Sequence, residues 1–334
     1  MAESTLSLNY AEMRIAIAHY LGLTLTSTDW SADEIVLINM ILKRGLRQFY
    51  KPPKIRTDQE PHRWSFLSPT TTLTTIASYA TGTLAITEDD ATVTLSDGIF
   101  PSWTATHGTL VVGTTEYAID SRTDDTHLEL SAVWPEDTIT AEEYTLRHNG
   151  NYDMDEDFGG MDGRYLTHGE GVNKPDILIV NEATIRKMRA STTSRGEPQN
   201  VAIRPKNTTV TSSVGQRFEV MFYPIPNDAY TLYYRKIVQI GVVTSILAYT
   251  LGGMAYGEAI LASCLAVAEQ QENGVRGPEW ESFISNLTSA IQEDMTAMQT
   301  DYHGYNSDDS DAIHRKGRGR HRDPNVIATY NGEF

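Results

Sequence analysis

The sequence predicts an α+β protein: a four-helix bundle with a short β-hairpin region, carrying an inserted small all-β domain of the sandwich or barrel type. Three observations predict it. Capped amphipathic helix patterns sit at both ends of the chain, and two alternating apolar segments precede the last pair of helices. The third is an abrupt change of composition between Ser78 and Arg147. The chain then divides into 1–77, the first half of the helical domain, and 78–147, the insert. Residues 148–302 form the second half, with the hairpin and two long helices, and 303–334 form an extended C-terminal arm.

The first helix is expected to start at Asn9, which caps it while Glu12 reaches back. Met13, Ile17, Tyr20 and Leu21 make one apolar face, and Gly22 supplies the stop. Ser31-Ala32-Asp33-Glu34 is a second capping box. Ile35, Ile38, Ile41, Leu42, Leu46 and Phe49 follow at helical spacing, and Pro52-Pro53 ends the run. Trp64 to Leu67 reads as short and extended. Glu182 to Arg189 reads as one short helix, basic at its C-terminal end as the helix dipole prefers.

Phe218 to Tyr223 alternates, Pro224 to Asp228 turns, and Tyr230 to Arg235 is expected to return as its hairpin partner. A helix from Gly253 to Glu272 would carry Met254, Leu261, Leu265 and Ala268 inward, closed by Asn273-Gly274. Pro278 suits a first helical turn, and Trp280, Ile284, Leu287, Ile291, Met295 and Met298 follow it at spacings of three and four. Neither helix pair can bury its stripe alone, hence the bundle.

The insert shows about six short strands with evenly spaced turns. They include Thr83–Thr87, Ala91–Leu95, Thr109–Val112, Glu116–Ser121, His127–Leu130 and Glu143–Leu146. Its ends must lie close together for the host to fold around it. It also carries most of the charge. Of a formal net charge of −17 over 334 residues, thirteen acids opposed only by Arg122 and Arg147 belong to it. Tight binding to phosphate backbones needs clustered Lys and Arg, so the insert is a poor nucleic-acid binder.

The single cysteine, Cys264, allows no intrachain disulfide and reads as a buried structural thiol among alanines. Ile237 to Val267 is weakly charged, but four glycines and Glu258 interrupt it, unlike a membrane span of about 20 apolar residues. The N-terminus lacks a signal pattern, so the chain is read as soluble and intracellular when made.

No enzyme signature emerges, and no cofactor or metal site is expected. Asp153 to Gly159 resembles a calcium loop, yet the sixth position is Phe158 and the twelfth is Arg164. Asp157-Phe158-Gly159 matches a kinase motif without the companions that motif requires. Trp103 and Trp134 invite a sugar-stacking reading, against which stands core packing. In the arm, Arg315, Lys316, Arg318, Arg320 and Arg322 form a basic run, followed by the strand-like Val326, Ile327 and Tyr330 and a terminal Phe334. The arm either contacts nucleic acid, docks on an acidic partner with its last stretch adding a strand to that partner's sheet, or is a plain tail.

Several segments together resemble the head–tail adaptor (connector, tail accessory factor) proteins of tailed bacteriophages. They are Trp30-Ser31, Gly45 to Tyr50, Pro52-Pro53, Trp64 to Leu67, Asp157 to Gly160, Tyr223 to Pro226 with Tyr230 to Leu232, and Leu261 to Glu269. The resemblance covers most of the chain outside the insert. It implies a structural protein of the virion's head–tail junction, assembled in the host cytoplasm. Such a protein forms a ring of about twelve copies beneath the portal protein. The ring would extend the channel for double-stranded DNA and receive tail, nozzle or tail-fibre proteins below, with no membrane involved. The arm, through the residues named above, would embrace the portal. Relatives often lack the acidic insert, so its role does not carry over. The alternative expectation is a virion-surface carbohydrate-binding protein using the insert as its receptor module.

Overall fold

The computed structural model describes residues 3–54, 61–169, 174–206 and 215–298. The chain divides into Met1–Ala290 and Ile291–Phe334. It opens with α1 (Tyr10–Tyr20), α2 (Ala32–Tyr50) and β1 (Thr70–Thr74). The acidic stretch follows as β2 (Thr83–Ile86), β3 (Thr92–Ser96), one-turn α3 (Thr104–His107), β4 (Gly108–Val112), β5 (Thr115–Arg122), β6 (His127–Leu130), β7 (Ile139–Glu142) and β8 (Tyr144–His148). Next come β9 (Asn151–Asp153), β10 (Phe158–His168), β11 (Ile177–Ile179), α4 (Glu182–Ser191), β12 (Asn200–Lys206), β13 (Arg217–Tyr223) and β14 (Thr231–Val238). Helices α5 (Gly257–Asn273) and α6 (Pro278–Met298) close the series.

The expected four-helix bundle is not present among the described residues. The framework is two curled seven-stranded sheets, with helices packed beside them. In the host sheet the order is β1-β14-β10-β11-β12-β13-β9, and only β11–β12 is parallel. Strands from β9 through β14 share one core, in which Tyr152, Phe158, Val201, Phe222 and Leu232 meet. One cluster fed by six neighbouring strands requires the sheet to wrap around it. The bundle expectation failed because it left the middle of the chain without a core of its own. That middle supplies the host sheet, while α1, α2 and α5 pack on one another and α4 packs on β12 and β13, an arrangement other than a four-helix bundle.

The expected hairpin is also absent. Both strands exist, but β13 pairs with β12 and β9, while β14 pairs with β1 and β10. Pro224 and Pro226 have no N–H to continue a ladder, and Ile225 is bridged to Arg195. The segment therefore crosses the sheet and does not fold back. Ser65–Leu67 is a 3-10 turn, not an extended run.

The second sheet, β7-β2-β3-β6-β5-β4-β8, takes every strand from residues 83–148. Its edge strands β7 and β8 are separated in sequence by Glu143 alone, so its two edges must lie close together. Tyr79, just before β2, completes the curl with paired hydrogen bonds to Leu146 of β8 (2.9 and 2.7 Å). Inside lie Leu84, Val93, Phe100, Leu110, Leu128 and Trp134, all essentially without solvent contact.

Both N-terminal capping boxes form as expected, at Asn9/Glu12 and Ser31/Glu34. Gly22 (φ +72°) and Gly274 (φ +69°) adopt the left-handed conformation that ends α1 and α5. Helix α5 starts four residues later than expected, after a 3-10 turn; Ala268 is buried as expected, but Met254 is exposed, Leu261 and Leu265 are half-buried, and Ala259, Ile260, Cys264 and Val267 fill the buried side. Small side chains let α2 and α5 touch along their backbones, and Ser263 Oγ donates to the Gly45 carbonyl at 2.9 Å. Early in α6, Phe283 and Leu287 point inward. Phe283 lies outside the expected stripe.

Candidate interaction surface

The exposed face of α2 reads Val36, Met40, Lys43 and Arg47, at helical spacings of three and four, with exposed Lys51 just past the helix end. The same helix buries Ile38, Ile41, Leu42, Gly45, Leu46 and Phe49 on its other side. Phe49 stacks on Trp64 at 4.5 Å, and the Trp64 indole N–H donates to the Phe49 carbonyl at 3.0 Å. That anchoring fixes which side of α2 faces outward.

Opposite the exposed face runs the irregular segment 239–251, which continues from β14. Together they bound a groove of about 480 Å³, lined by Lys43, Leu46, Arg47, Tyr50 and Lys51 on one wall and Ile237 to Val242 on the other. A second hollow of about 220 Å³ extends it past Val243, Leu247 and Leu251. The Tyr50 hydroxyl donates to the Leu251 carbonyl at 2.9 Å, and burial pushes its phenol well above the ordinary value. The segment is tied down at Thr244 to Ala248. Tyr10 N donates to the Ala248 carbonyl at 2.7 Å, and Thr244 Oγ1 accepts from Ile246 N and Leu247 N. Its apolar side chains nevertheless face solvent: Ile246 is 91 % and Leu247 66 % exposed, with Tyr249 and Leu251 close to half. Contiguous exposed apolar surface of this kind marks an interaction site. Among the described residues, Lys43, Arg47 and Lys51 have no side-chain hydrogen bond or ion pair, which leaves the groove with an unpaired basic rim.

The acidic stretch presents the opposite charge. The strand registers put the turns 87–91, 113–114 and 131–138 at the end of the sheet away from its connections to the host. Two of those turns are joined by Asp89 N to the Trp134 carbonyl (3.0 Å) and Trp134 N to the Asp90 carbonyl (2.7 Å). Glu88, Asp89, Asp90, Glu136 and Asp137 are exposed on these two turns, as is Val133, and no described cation pairs with the carboxylates. The stretch's only cations are engaged elsewhere, Arg122 with Asp125 and Arg147 with Glu116.

Where the acidic stretch joins the host sheet, a cavity of about 340 Å³ is lined by Trp103, His107, His148, Tyr152 and Asp153. His148 stacks on Tyr152 at 4.2 Å and accepts from Gly150 N through Nδ1 at 3.0 Å, so the other nitrogen carries its proton. Burial, then the neighbouring His107, Arg195 and Arg189, push its imidazole down to about 3. Arg189 ties the joint together by donating to the Gly150 and Phe222 carbonyls and to Asn151 Oδ1. These contacts form a buried seam between the two sheets.

The other sequence candidates resolve as follows. The acidic run at 153–157 is met by cations: Asp153 by Lys206, Glu156 by Arg217, and both Asp155 and Asp157 by Lys236. Among the described residues, no group of three or more His, Cys, Asp or Glu side chains converges as metal ligands, and no helix is long and apolar enough to cross a membrane. Cys264 is buried, and burial pushes its thiol up to about 12. Trp134 lies wholly inside its core and offers no stacking face, while Trp103 is partly buried against that core. The arm residues Arg315, Lys316, Arg318, Arg320, Arg322, Val326, Ile327, Tyr330 and Phe334 lie outside the described residues. The α2 groove was not anticipated. Its signal was present in the weakly charged run after Ile237 and in Val36, Met40, Lys43 and Arg47, which fall off the buried stripe. Compared with protein-family models and with curated proteins, the chain matches none.

Proposed function

We propose that this chain is a structural head–tail adaptor of a tailed phage. It forms a ring beneath the portal protein, extends the DNA channel and gives tail, nozzle or fibre proteins their attachment site in the virion. The observation that carries the reading is the meeting of the segments that resemble that family. Gly45 of one segment lies against Ser263 and Cys264 of another, 218 positions further on in the hydrogen-bonded pair, and Phe49 stacks on the Trp64 of a third. Segments that resemble one family thus meet in one core, as parts of a common fold are expected to do.

Surface chemistry supports an assembly role. A helix face with an apolar half, a basic half and an open groove is expected of a subunit whose partners cover it. The strong negative charge of the remainder favours a lumen past which DNA slides without sticking. The arm, ordering on the portal, would supply the step that couples ring formation to the portal, since ordering costs limit premature assembly. Repetition around a ring multiplies weak contacts through effective concentration.

The test removes residues 303–334 and measures co-sedimentation with portal particles. The reading expects the full chain to pellet with portals and the truncated chain to remain in the supernatant. Wild-type co-sedimentation by the truncated chain would remove the arm from the account, and no co-sedimentation by the full chain would remove the adaptor reading.

A further inference from the structure

The groove and the acidic pole are complementary surfaces on one chain, and they belong to different sheets and different sequence segments. The groove has an apolar floor of Leu46, Ile240 and Val242 and a rim of Lys43, Arg47 and Lys51. At the pole, exposed Val133 shares its turn with Glu136 and Asp137, and the hydrogen-bonded neighbouring turn carries Glu88, Asp89 and Asp90. Within a protomer the pole's carboxylates meet no described cation and the rim's cations meet no described carboxylate. Each surface therefore retains its charge for an external partner.

We propose that the α2 groove of one copy receives the acidic pole of the β2–β8 sheet of a neighbouring copy. The contact joins two different patches, so it is heterologous: each copy offers a pole to one neighbour and a groove to the other. Repetition of such a contact gives a closed ring when the rotation closes. The inference deepens the adaptor reading and rests on it for the ring, while giving the acidic insert a partner. Val133 enters the apolar part of the groove, and the surrounding carboxylates face the three cations. Several exposed charge pairs give a contact that is steered by charge and weakened by salt. Such a contact is weak between two free copies and strong once a ring closes.

Sedimentation velocity on the full chain at high protein concentration tests it. Wild type is expected to self-associate at about 50 mM salt and to dissociate at about 500 mM, where the Debye length shrinks to a few ångströms. The groove variant Lys43→Glu/Arg47→Glu and the pole variant Glu88→Lys/Asp137→Lys should each lose association at least about tenfold. All four side chains are exposed, and circular dichroism identical to wild type verifies the fold. Mixing the two variants should restore association, because each then offers the charge that the other lacks. Variants that associate like wild type, a mixture that stays monomeric, or a wild type that is monomeric at low salt each overturn the contact. Portal-mounted rings indifferent to both reversals overturn the contact and leave the adaptor reading in place. A wild type that never joins portals overturns that reading instead, whatever the reversals do to self-association.

Discussion

Replacing Gly45 by alanine puts a methyl group where α2 crosses α5. A Cβ built there would lie 2.5 Å from Cys264 Sγ, 2.6 Å from Cys264 Cα and 2.9 Å from Cys264 N. Two of those atoms are backbone, so no rotamer change relieves the clash and the helices must separate. Separation also stretches the Ser263 Oγ hydrogen bond to the Gly45 carbonyl. Overpacking of this kind costs about 1–3 kcal/mol, and a neutral buried hydrogen bond adds about 1 kcal/mol. Alanine's better helix propensity returns roughly 0.5–1 kcal/mol. The net expectation is a loss of about 2 kcal/mol, or roughly 4–8 °C in Tm for a domain of this size. Gly257→Ala is the control. Its backbone is already helical (φ −54°, ψ −46°), and the nearest atoms to a new Cβ are those of Leu8 at 3.8 Å. That variant should be unchanged or stabilised by up to about 1 kcal/mol. The assay is thermal and denaturant unfolding followed by far-ultraviolet circular dichroism. Gly45→Ala melting at or above wild type would refute the close crossing of α2 and α5.

Two further perturbations probe particular joints. Buried Glu269 of α5 accepts backbone N–H groups of Gly277 (2.9 Å), Trp280 (3.1 Å) and Glu279 (3.3 Å), and so caps the start of α6. Glu269→Ala should cost about 2–3 kcal/mol and Glu269→Gln less, read from denaturant midpoints; equal midpoints for wild type and Glu269→Ala would contradict the cap. At the seam, His148 is held neutral down to about pH 3 in the folded chain, against an ordinary value near 6.5. The unfolded chain therefore binds a proton that the folded chain refuses. Stability from this group is full above pH 6.5 and falls as pH drops towards 3, by about 1.4 kcal/mol per unit. His148→Phe should lose that part of the slope, whatever its stability at pH 7. Parallel pH–stability curves for the two proteins would show that His148 is not buried neutral.

The helices were legible because their signals are local. Asn9 with Glu12 and Ser31 with Glu34 announce starts within four residues, and Gly22 and Gly274 announce stops. Most strands of the acidic stretch were legible too, since one buried face imposes strict alternation, as in Thr83–Ile86. The host sheet was legible only in part. Strand β10 contains Gly159, Gly160 and Gly163 and shifts register twice against β14, so its residues show no steady period. Strands β13 and β14 did announce themselves, at Phe218–Tyr223 and Tyr230–Arg235, but as a hairpin that does not form. Which strands pair is a long-range property: β1 finds β14 about 160 positions later, and nothing near Thr70 encodes that partner. The groove escaped for a similar reason. Lys43 and Arg47 read as an ordinary solvated helix face until segment 239–251 is seen opposite them.

The most direct measurement of the central claim is electron microscopy of the purified chain mixed with portal protein. A ring of about twelve copies stacked coaxially on the portal, with a continuous channel, is the predicted image. Portals that remain bare beside unassembled chain, at concentrations where both are soluble and folded, would contradict the adaptor account.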